Sequence, residues 1–454
     1  MPVVFHKDKP VFSATSPGRM DVMGGIADYS GSRLLQMPIA ESTTVSLQLR
    51  EDGVFHLFSK GIRHKDLETE IVFKGGLAPA EAGVFLRSQP GGDWAAYVIG
   101  CFVILNLELG LPFSGADIYI ESNVPAGKGV SSSAALEVAT MLSLMKAHGV
   151  VPDRIKLPLW AQKVENQVAG AACGLMDQLS VTLGEKKKLL PLVCQPYTVF
   201  DAVSIPAGII FAGIDSGVRH AVGGASYGDV RTAAFMGYSI IAAEHGVGAL
   251  EIETARAIGS WKDLPYGGYL ANIPLSLFEQ RYAGLLPGKI HGRDFLARYG
   301  GTIDAATSVD PARIYDLLSC ARHPVEEEFR VSSFERLLKA FPKSRDRRDL
   351  LCAMGELMMQ SHASYSAVGL GNERTDEIVE MVRAAGHDKG VYGARISGGG
   401  SGGTVVVLAE GRVGRETVKK IHKELSERQG KRLSLFLGSG DGALPPSKGA
   451  TLGG

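Results

Sequence analysis

The chain has 454 residues with 48 basic and 48 acidic side chains, and its hydrophobic fraction of 45% is that of a globular protein. These values exclude a chain that is disordered throughout, argue against a dedicated nucleic-acid binder, and favour two domains with a large buried core. The 57 glycines are an excess, since average usage of about 7% would give roughly 32.

The cysteines and the apolar runs indicate the cellular setting. Five cysteines are scattered along the chain and form no CxxC pair, which is neither a disulfide framework nor a zinc site. Residues 1–9 hold no continuous apolar stretch of the kind found in signal peptides. No apolar run reaches the roughly 18–20 residues that would span a bilayer. We therefore expect a soluble cytoplasmic protein with neither a membrane nor a nucleic-acid partner.

The first half of the chain predicts strands and helices arranged around a glycine-rich loop. A predicted strand at 116–121 runs into that loop, residues 125–130. Ser131-Ser132-Ser133 then opens a helix whose apolar residues recur with helical period. Pro158 suits the first turn of the next helix, which carries Glu165. The predicted strands are residues 2–11, 43–49, 71–73 and 116–121, and a further helix is predicted over 94–109.

The second half predicts a new unit that begins with a short apolar strand at 209–214, which we expect to be central in its sheet. We place a domain boundary just before it, between residues 205 and 206. Another glycine-rich loop, residues 397–403, lies between predicted strands at 393–396 and 404–408. Helices are predicted over residues 226–244, 347–367 and 375–385, and the stretch 438–454, rich in Gly, Pro and Ser, is expected to be mobile.

The loop at residues 125–133 has the composition of an anion-binding site. A glycine-rich turn that opens a helix leaves backbone N–H groups unpaired and directs them at one spot, where the helix dipole also favours negative charge. The serine hydroxyls would add hydrogen-bond donors or a ligand for Mg²⁺. The loop is neither a Walker A sequence nor the GxSxG of a serine hydrolase. Taken alone, it is equally consistent with a strand-to-helix turn in which a serine caps the helix.

Three other stretches hold charged residues or glycines that could belong to a functional site. Each of them also has a purely structural explanation. Residues 17–31 set Arg19 and Asp28 among glycines, a pattern that a surface ion pair would also explain. Asp177 is a carboxylate among apolar residues, where a helix cap is the alternative. The loop at 397–403 on its own favours a tight turn.

Taken in order, these loops resemble the three signature motifs of the GHMP small-molecule kinases, most closely those of the galactokinase branch. The first motif is Ser16-Pro17-Gly18-Arg19 with Asp28-Tyr29, the second is residues 125–135, and the third is residues 393–403. Four further matching segments are Trp94-Ala95-Ala96-Tyr97-Val98, Cys173-Gly174-Leu175-Met176-Asp177-Gln178, Asp215-Ser216-Gly217-Val218-Arg219-His220 and Ala225-Ser226-Tyr227. The resemblance implies an α+β fold of two domains with the active site in the cleft between them. Residues 1–205 would form a mixed-sheet N-terminal domain whose phosphate loop opens a helix, and residues 206–454 an α/β C-terminal domain.

The resemblance also implies the reaction and its residues: transfer of the γ-phosphoryl group of ATP to the anomeric hydroxyl of a sugar, with Mg²⁺ as cofactor. Asp177 would be the general base, and Arg19 beside it would keep it ionised and offset charge on the transferred group. Ser133 and Glu165 would hold Mg²⁺. The nucleotide would be bound by Trp94 against adenine and by Gly127, Lys128, Gly129, Val130, Ser131, Ser132 and Ser133 around the phosphates. The sugar would be bound by Arg19, Asp28, Gly174, Asp177 and Tyr227, with Gly25 and Ile26 where galactose carries its 6-hydroxymethyl group.

Gly25 and Ile26 are the main departure from the galactokinase pattern, which has Glu and His at these two positions. L-Arabinopyranose has the ring stereochemistry of galactose but lacks the 6-hydroxymethyl group. Residues 18–31 and 35–39 also resemble the kinase domain of the plant L-arabinokinases. Burying a sugar hydroxyl against Ile26 without a partner would cost about 1–3 kcal/mol, or roughly 5- to 150-fold in selectivity. We therefore expect phosphorylation of L-arabinose to L-arabinose 1-phosphate, with residual activity on galactose.

Two other functions remain open at this point. The chain could be a galactokinase, or a galactokinase-like sugar sensor that binds ATP and sugar without catalysis. The complete phosphate loop, together with Arg19 and Asp177, favours an enzyme. Trp94 could instead be a core aromatic residue, and Glu165 an exposed helix residue.

Overall fold

The computed structural model describes residues 5–60, 66–171, 173–218, 225–444 and 452–453. Within these ranges the strands form a nine-stranded sheet, a four-stranded sheet and a two-stranded ribbon. The strands are β1 (Phe12–Met23), β2 (Arg33–Leu49), β3 (Val54–Lys60), β4 (Leu67–Val72), β5 (Ala116–Ser122), β6 (Lys188–Cys194), β7 (Tyr197–Val199), β8 (Val203–Ser204), β9 (Ile209–Asp215), β10 (Lys289–His291), β11 (Ile314–Asp316), β12 (Val391–Ile396), β13 (Thr404–Glu410), β14 (Leu435–Phe436) and β15 (Leu452–Gly453).

Helices pack on both sheets and connect them. They are α1 (Pro79–Arg87), α2 (Gly92–Leu109), α3 (Ser132–Ala147), α4 (Lys156–Lys163), α5 (Met176–Leu183), α6 (Ala225–Glu244), α7 (Ala249–Ile258), α8 (Leu275–Leu277), α9 (Gly292–Tyr299), α10 (Leu317–Ala340), α11 (Arg347–Ala367), α12 (Glu373–Ala385) and α13 (Gly411–Arg428). Short 3₁₀ segments are Gly25–Ser30, Pro265–Gly268, Leu270–Asn272, Phe341–Lys343 and His387–Lys389, and π-helical segments are Val164–Ala169 and Phe278–Tyr282.

The large sheet is built around β2, which pairs with β1, β5 and β6. Its pairings are antiparallel except for the parallel pair β3–β5, so the sheet is mixed, as predicted. The register of β1 against β2 shifts between Pro17 and Arg19 and again between Asp21 and Met23. Such irregularities bend a strand and turn its side chains. The two register shifts lie on either side of the segment of β1 that carries Arg19.

Helix α2 lies in the core of the first domain. By length and composition alone it could cross a membrane. Most of its residues are buried, and Ile99 and Phe102 join a core cluster with Leu57 of β3 and Val138 of α3. An apolar helix buried on nearly every side is expected in the interior of a large domain.

The second sheet has the order β12–β13–β9–β14 and is antiparallel. The prediction that the strand at 209–214 is central is confirmed, because β9 lies between β13 and β14. Helix α11 spans the predicted residues 347–367. The two-domain α+β fold is confirmed as well.

The chain crosses between the sheets near the predicted boundary. Strand β8 pairs with β6 in the first domain, whereas β9 belongs to the second sheet. The boundary between 205 and 206 stays a prediction.

The end of the chain differs from the mobile tail expected from residue 438. The backbone N–H groups of Gly442, Ala443 and Leu444 donate to carbonyls at the end of α5. Leu444 is buried in the first core cluster, and β15 pairs with β7. The apolar side chain and the satisfied backbone hold this segment on the first domain; residues 445–451 and 454 lie outside the described part of the chain.

Candidate active site

A cavity between the two domains unites most of the predicted site residues. Its walls come from β1 and the segment after it, the start of α3, the π-helical segment after α4, the loop before α5, the first turns of α5 and α6, and the loop between β12 and β13. It is lined by Arg19, Gly25, Ile26, Asp28, Gly127, Gly129, Ser131, Ser132, Ser133, Glu165, Cys173, Gly174, Met176, Asp177, Tyr227, Gly398 and Gly399. Segments far apart in sequence therefore meet at one place.

The phosphate loop has a strained backbone. Gly127 and Gly129 have φ angles of 70° and 68°, and Ser131 at the N-cap of α3 has a φ of 60°. A non-glycine residue in this left-handed region costs about 1–3 kcal/mol and is found mainly at functional sites. The buried Ser131 hydroxyl makes no capping bond and has no hydrogen-bond partner among the described residues. The serine-cap explanation of the loop is therefore wrong for Ser131.

Three predicted nucleotide-binding residues lie outside the cavity lining. The Lys128 ammonium pairs at 3.1 Å with Asp215, which is fully buried at the end of β9. The Val130 side chain packs in a core cluster, and its carbonyl accepts the Arg19 N–H at 3.1 Å. Trp94 is half-buried against the core of the first domain. The side chains of Lys128 and Val130 thus contact other residues of the protein. The nucleotide-binding roles of Lys128, Val130 and Trp94 stay predictions.

Arg19 and Asp177 form the central charged pair. The Arg19 Nε and Nη2 groups donate to Asp177 Oδ1 at 3.0 and 2.6 Å. Arg19 Nη1 donates at 2.7 Å to the carbonyl of Gly129 in the phosphate loop. The Arg19 side chain is 4% exposed and that of Asp177 is 25% exposed. Because both bonds end on Oδ1, Asp177 Oδ2 is the oxygen that can meet a substrate hydroxyl from the cavity.

Asp28, Tyr227 and Gly174 form a second polar group in the cavity. The Tyr227 hydroxyl donates to Asp28 Oδ1 at 3.0 Å. Burial, partly offset by the positive charge of Arg231, raises the pKa of Asp28 to about 6. A Cβ atom at position 174 would lie 2.2 Å from Asp28 Oδ2, so a side chain there would displace this carboxylate. The carboxylate can then accept hydrogen bonds from a ligand.

Ser133 and Glu165 meet as predicted. The Ser133 hydroxyl donates to Glu165 Oε1 at 3.0 Å, and Gln178 Nε2 donates to Glu165 Oε2 at 2.8 Å. Glu165 is buried in a π-helical segment, so it is not an exposed helix residue. Burial and then the charge of Asp177 raise the pKa of Glu165. A nearby cation would stabilise the charged form of such a buried carboxylate.

The donor set suits Mg²⁺ held jointly with a nucleotide. Among the described residues no cluster of three or more His, Cys, Asp and Glu side chains could hold a metal ion. Mg²⁺ is commonly held by one or two protein oxygens together with substrate phosphates and water. The Glu165 carboxylate and the Ser133 hydroxyl, beside the phosphate loop, fit that pattern.

Several side chains that join the first and third motifs are not predicted from the sequence. The fully buried Arg395 pairs with Asp21 at 2.7 Å, and Asp21 also accepts from Gln36 at 2.6 Å. Tyr365 contacts Ile26 and Gly398. No local sequence pattern marks Tyr365 as a site residue.

Part of the predicted 215–220 motif lies outside the described residues. Arg219 and His220 are not described, and neither are the side chains of Ala225 and Ser226. Residues 215–218 are described, and Asp215 among them forms the pair with Lys128.

Known proteins resemble this chain in both of its domains. The N-terminal domain of the GHMP kinases matches residues 96–185, and their C-terminal domain matches residues 347–428. The L-arabinokinase of Arabidopsis thaliana is 37% identical over 97% of this chain, which covers 47% of that protein, so the chain spans about half the length of this relative. A galactokinase of Chloroflexus aggregans is 28% identical over 93% of this chain and 90% of its own length. The crystal structure of Lactococcus lactis galactokinase complexed with galactose has a TM-score of 0.71 at 22% identity and covers 97% of this chain and 96% of its own, a likeness of fold.

Proposed function

Because the chain carries both domains of the GHMP kinases and thus belongs to that family, we propose that it is a sugar 1-kinase that phosphorylates L-arabinose with ATP. The observation that carries the proposal is the position of the Arg19–Asp177 pair, which lies in the cavity and is bonded to the phosphate loop. A base, a cation and a phosphate-binding loop are thereby held together where a phosphoryl group would pass to a sugar hydroxyl.

Asp177 acts as the base in this proposal. Its Oδ2 atom takes the proton of the anomeric hydroxyl as the hydroxyl oxygen attacks the γ-phosphorus and the bond to ADP breaks. Arg19 holds Oδ1 and thus orients the carboxylate. Its guanidinium also offsets charge on the transferred phosphoryl group.

Ser133 and Glu165 would hold Mg²⁺, which supplies positive charge to the phosphates when it is bound. The backbone N–H groups of the phosphate loop and of the first turn of α3 bind phosphate oxygens. Gly127 and Gly129 let the backbone approach the phosphates closely, since neither has a side chain.

Asp28, Tyr227 and Gly174 bind the ring hydroxyls of the sugar. Gly25 and Ile26 line the same cavity and offer no polar side chain. A sugar without a hydroxymethyl group leaves no hydroxyl unpaired there. This apolar corner and the similarity to the Arabidopsis L-arabinokinase support L-arabinose over galactose.

The sugar specificity is tested with L-arabinose, D-galactose, D-fucose and D-glucuronate at fixed ATP. We expect kcat/KM for L-arabinose to exceed that for D-galactose by roughly 5- to 150-fold, the effect of burying one unpaired hydroxyl. D-Fucose, which has a methyl group in place of the hydroxymethyl group, should fall between the two. Phosphorus and proton NMR of the product should show a 1-phosphate. A preference for galactose would instead indicate a galactokinase, and binding of both ligands without ADP release would indicate a sensor.

The raised pKa of Asp28 predicts a pH dependence of sugar binding. Asp28 is a carboxylate above its pKa of about 6 and becomes protonated below it. We therefore expect KM for the sugar to rise as the pH falls through about 6, while Asp28→Asn should have a raised KM that no longer depends on this titration. Steady-state kinetics between about pH 5 and pH 8 measure this, and a flat wild-type KM across that range would contradict it.

A further inference from the structure

Tyr365 of helix α11 links two segments of the cavity wall. Tyr365 itself does not line the cavity. Its hydroxyl accepts the Ile26 backbone N–H at 2.8 Å and donates to the Gly398 carbonyl at 2.8 Å. Tyr365 is fully buried. The first and third motifs are thus joined by one phenol from an element outside both.

Gly25 and Tyr365 are complementary in shape. A Cβ atom at position 25 would lie 1.6 Å from the Tyr365 hydroxyl oxygen and 2.8 Å from Cζ. The φ angle of Gly25 is +47°, which side chains rarely adopt. The phenol therefore occupies the space that any side chain at position 25 would need.

The surroundings of Tyr365 hold the phenol in place. The guanidinium of Arg395 lies 5.2 Å from the centre of its ring, and the His323 ring packs edge-on at 5.5 Å. Arg395 is itself fixed by Asp21 at 2.7 Å and by the Ser361 hydroxyl at 3.0 Å. A ring packed on several sides in a dense interior cannot move aside without disturbing its neighbours.

We propose that Tyr365 is a specificity-determining positioning residue, which fills the space beside Gly25 and holds Ile26 against the part of the cavity where a hydroxymethyl group would lie. This inference rests on the proposed sugar kinase function. Selectivity against the hydroxymethyl group then depends on the Gly25–Tyr365 pair as well as on the apolar character of Ile26.

Tyr365→Phe tests the hydroxyl bridge. The variant keeps the ring but leaves the Ile26 N–H and the Gly398 carbonyl without this partner, so Ile26 can shift. We expect the ratio of kcat/KM for L-arabinose to that for D-galactose to fall by roughly tenfold, the effect of losing the one of these two hydrogen bonds that positions Ile26. A purely structural role would lower both values together and leave the ratio unchanged. An unchanged ratio would overturn the proposal.

Tyr238→Phe is the matched control. Tyr238 is also fully buried, and its hydroxyl donates at 2.8 Å to the Pro265 carbonyl, outside the cavity lining. We expect its sugar ratio to equal that of the wild type. A fall equal to that of Tyr365→Phe would show that loss of any buried tyrosine hydroxyl has this effect, and would overturn the proposal.

A double-mutant cycle tests the steric pair independently of activity. Gly25→Ala should lower the melting temperature strongly, whereas adding Tyr365→Ala removes both contacting phenol atoms. The double variant should therefore lose less than the sum of the two single losses. Additive losses would overturn the pairing. If the wild type phosphorylates neither sugar, the proposed function fails, while the cycle and the ratio of sugar binding constants from calorimetry still decide the role of Tyr365.

Discussion

Asp177→Asn is expected to lower kcat with L-arabinose and ATP by about 10³-fold, within the range for loss of a general base. The asparagine keeps an oxygen that can accept both Arg19 hydrogen bonds. The side chain would therefore stay in place while losing its ability to take a proton. The dissociation constants of sugar and ATP should change far less than kcat.

Asp117→Asn is a suitable control for this variant. Asp117 on β5 also accepts a hydrogen bond from an arginine, Arg50, at 2.9 Å, but it lies outside the cavity. We expect near wild-type kcat from this control. Stopped-flow or coupled ADP assays measure the rates, and circular dichroism checks the fold. If Asp177→Asn turns over at a near-native rate, the assignment of Asp177 as base is wrong.

Glu165→Gln is expected to raise the Mg²⁺ concentration needed for half-maximal activity by about 10- to 100-fold and to lower kcat at saturating ATP. Loss of the carboxylate leaves the Ser133 hydroxyl as the only proposed protein ligand. The raised pKa of Glu165 shows that its charged form is disfavoured in the fold, so the unliganded variant should be more stable than the wild type at neutral pH.

The sign of that stability change follows from linkage. A carboxyl group whose pKa is higher in the folded state binds its proton more tightly there, so its contribution to stability falls as the pH rises through that pKa. The uncharged amide avoids this penalty. Its new N–H₂ group can donate to Gln178 Oε1, a buried atom without a hydrogen-bond partner among the described residues, if the Gln178 amide reorients.

Glu137→Gln separates the metal effect from the loss of a buried charge. Glu137 is fully buried one turn after Ser133, and burial followed by the charge of Glu165 raises its pKa well above the ordinary value. We expect this control to gain stability while the Mg²⁺ requirement changes much less. Thermal unfolding without ligands and activity titrated with Mg²⁺ provide both measurements. An equal Mg²⁺ shift in the two variants would contradict the assignment of Glu165.

Several elements could be predicted because their causes are local. Helix α11 has the predicted limits, and residues 209–214 of β9 indicate a central strand because none of them has a polar side chain. The phosphate loop could be identified because its composition suits anion binding and because it stands in order with two other family motifs. Gly25 and Ile26 stood out because the residues around them match a known motif.

The charge partner of Lys128 could not be predicted in the same way. Lys128 in the phosphate loop looked like a phosphate ligand, yet Asp215 of the second sheet pairs with it. The pairing depends on how the two sheets are placed, and neither residue's neighbours in sequence indicate it. The packing of residues 438–444 on the first domain could not be predicted either. A stretch rich in Gly, Pro and Ser has the composition of a mobile tail, and the surface that binds it is formed by distant residues.

The family motifs, helix α11, the strand at 209–214 and the chemical groups that line the cavity can all be read from the amino-acid sequence. Hydrophobic period, glycine and helix-start signals act over a few residues and can be read without the fold. The pairing of Lys128 with Asp215 and the position of Tyr365 beside Gly25 depend on the packing of the fold, because these contacts join distant segments. Tyr365 lies 340 positions from Gly25 (365 minus 25) and takes the space its missing side chain leaves. In the sequence, Gly25 indicates only that the polar side chain of the galactokinase pattern is missing. In the fold, Gly25 leaves the space that the Tyr365 phenol fills.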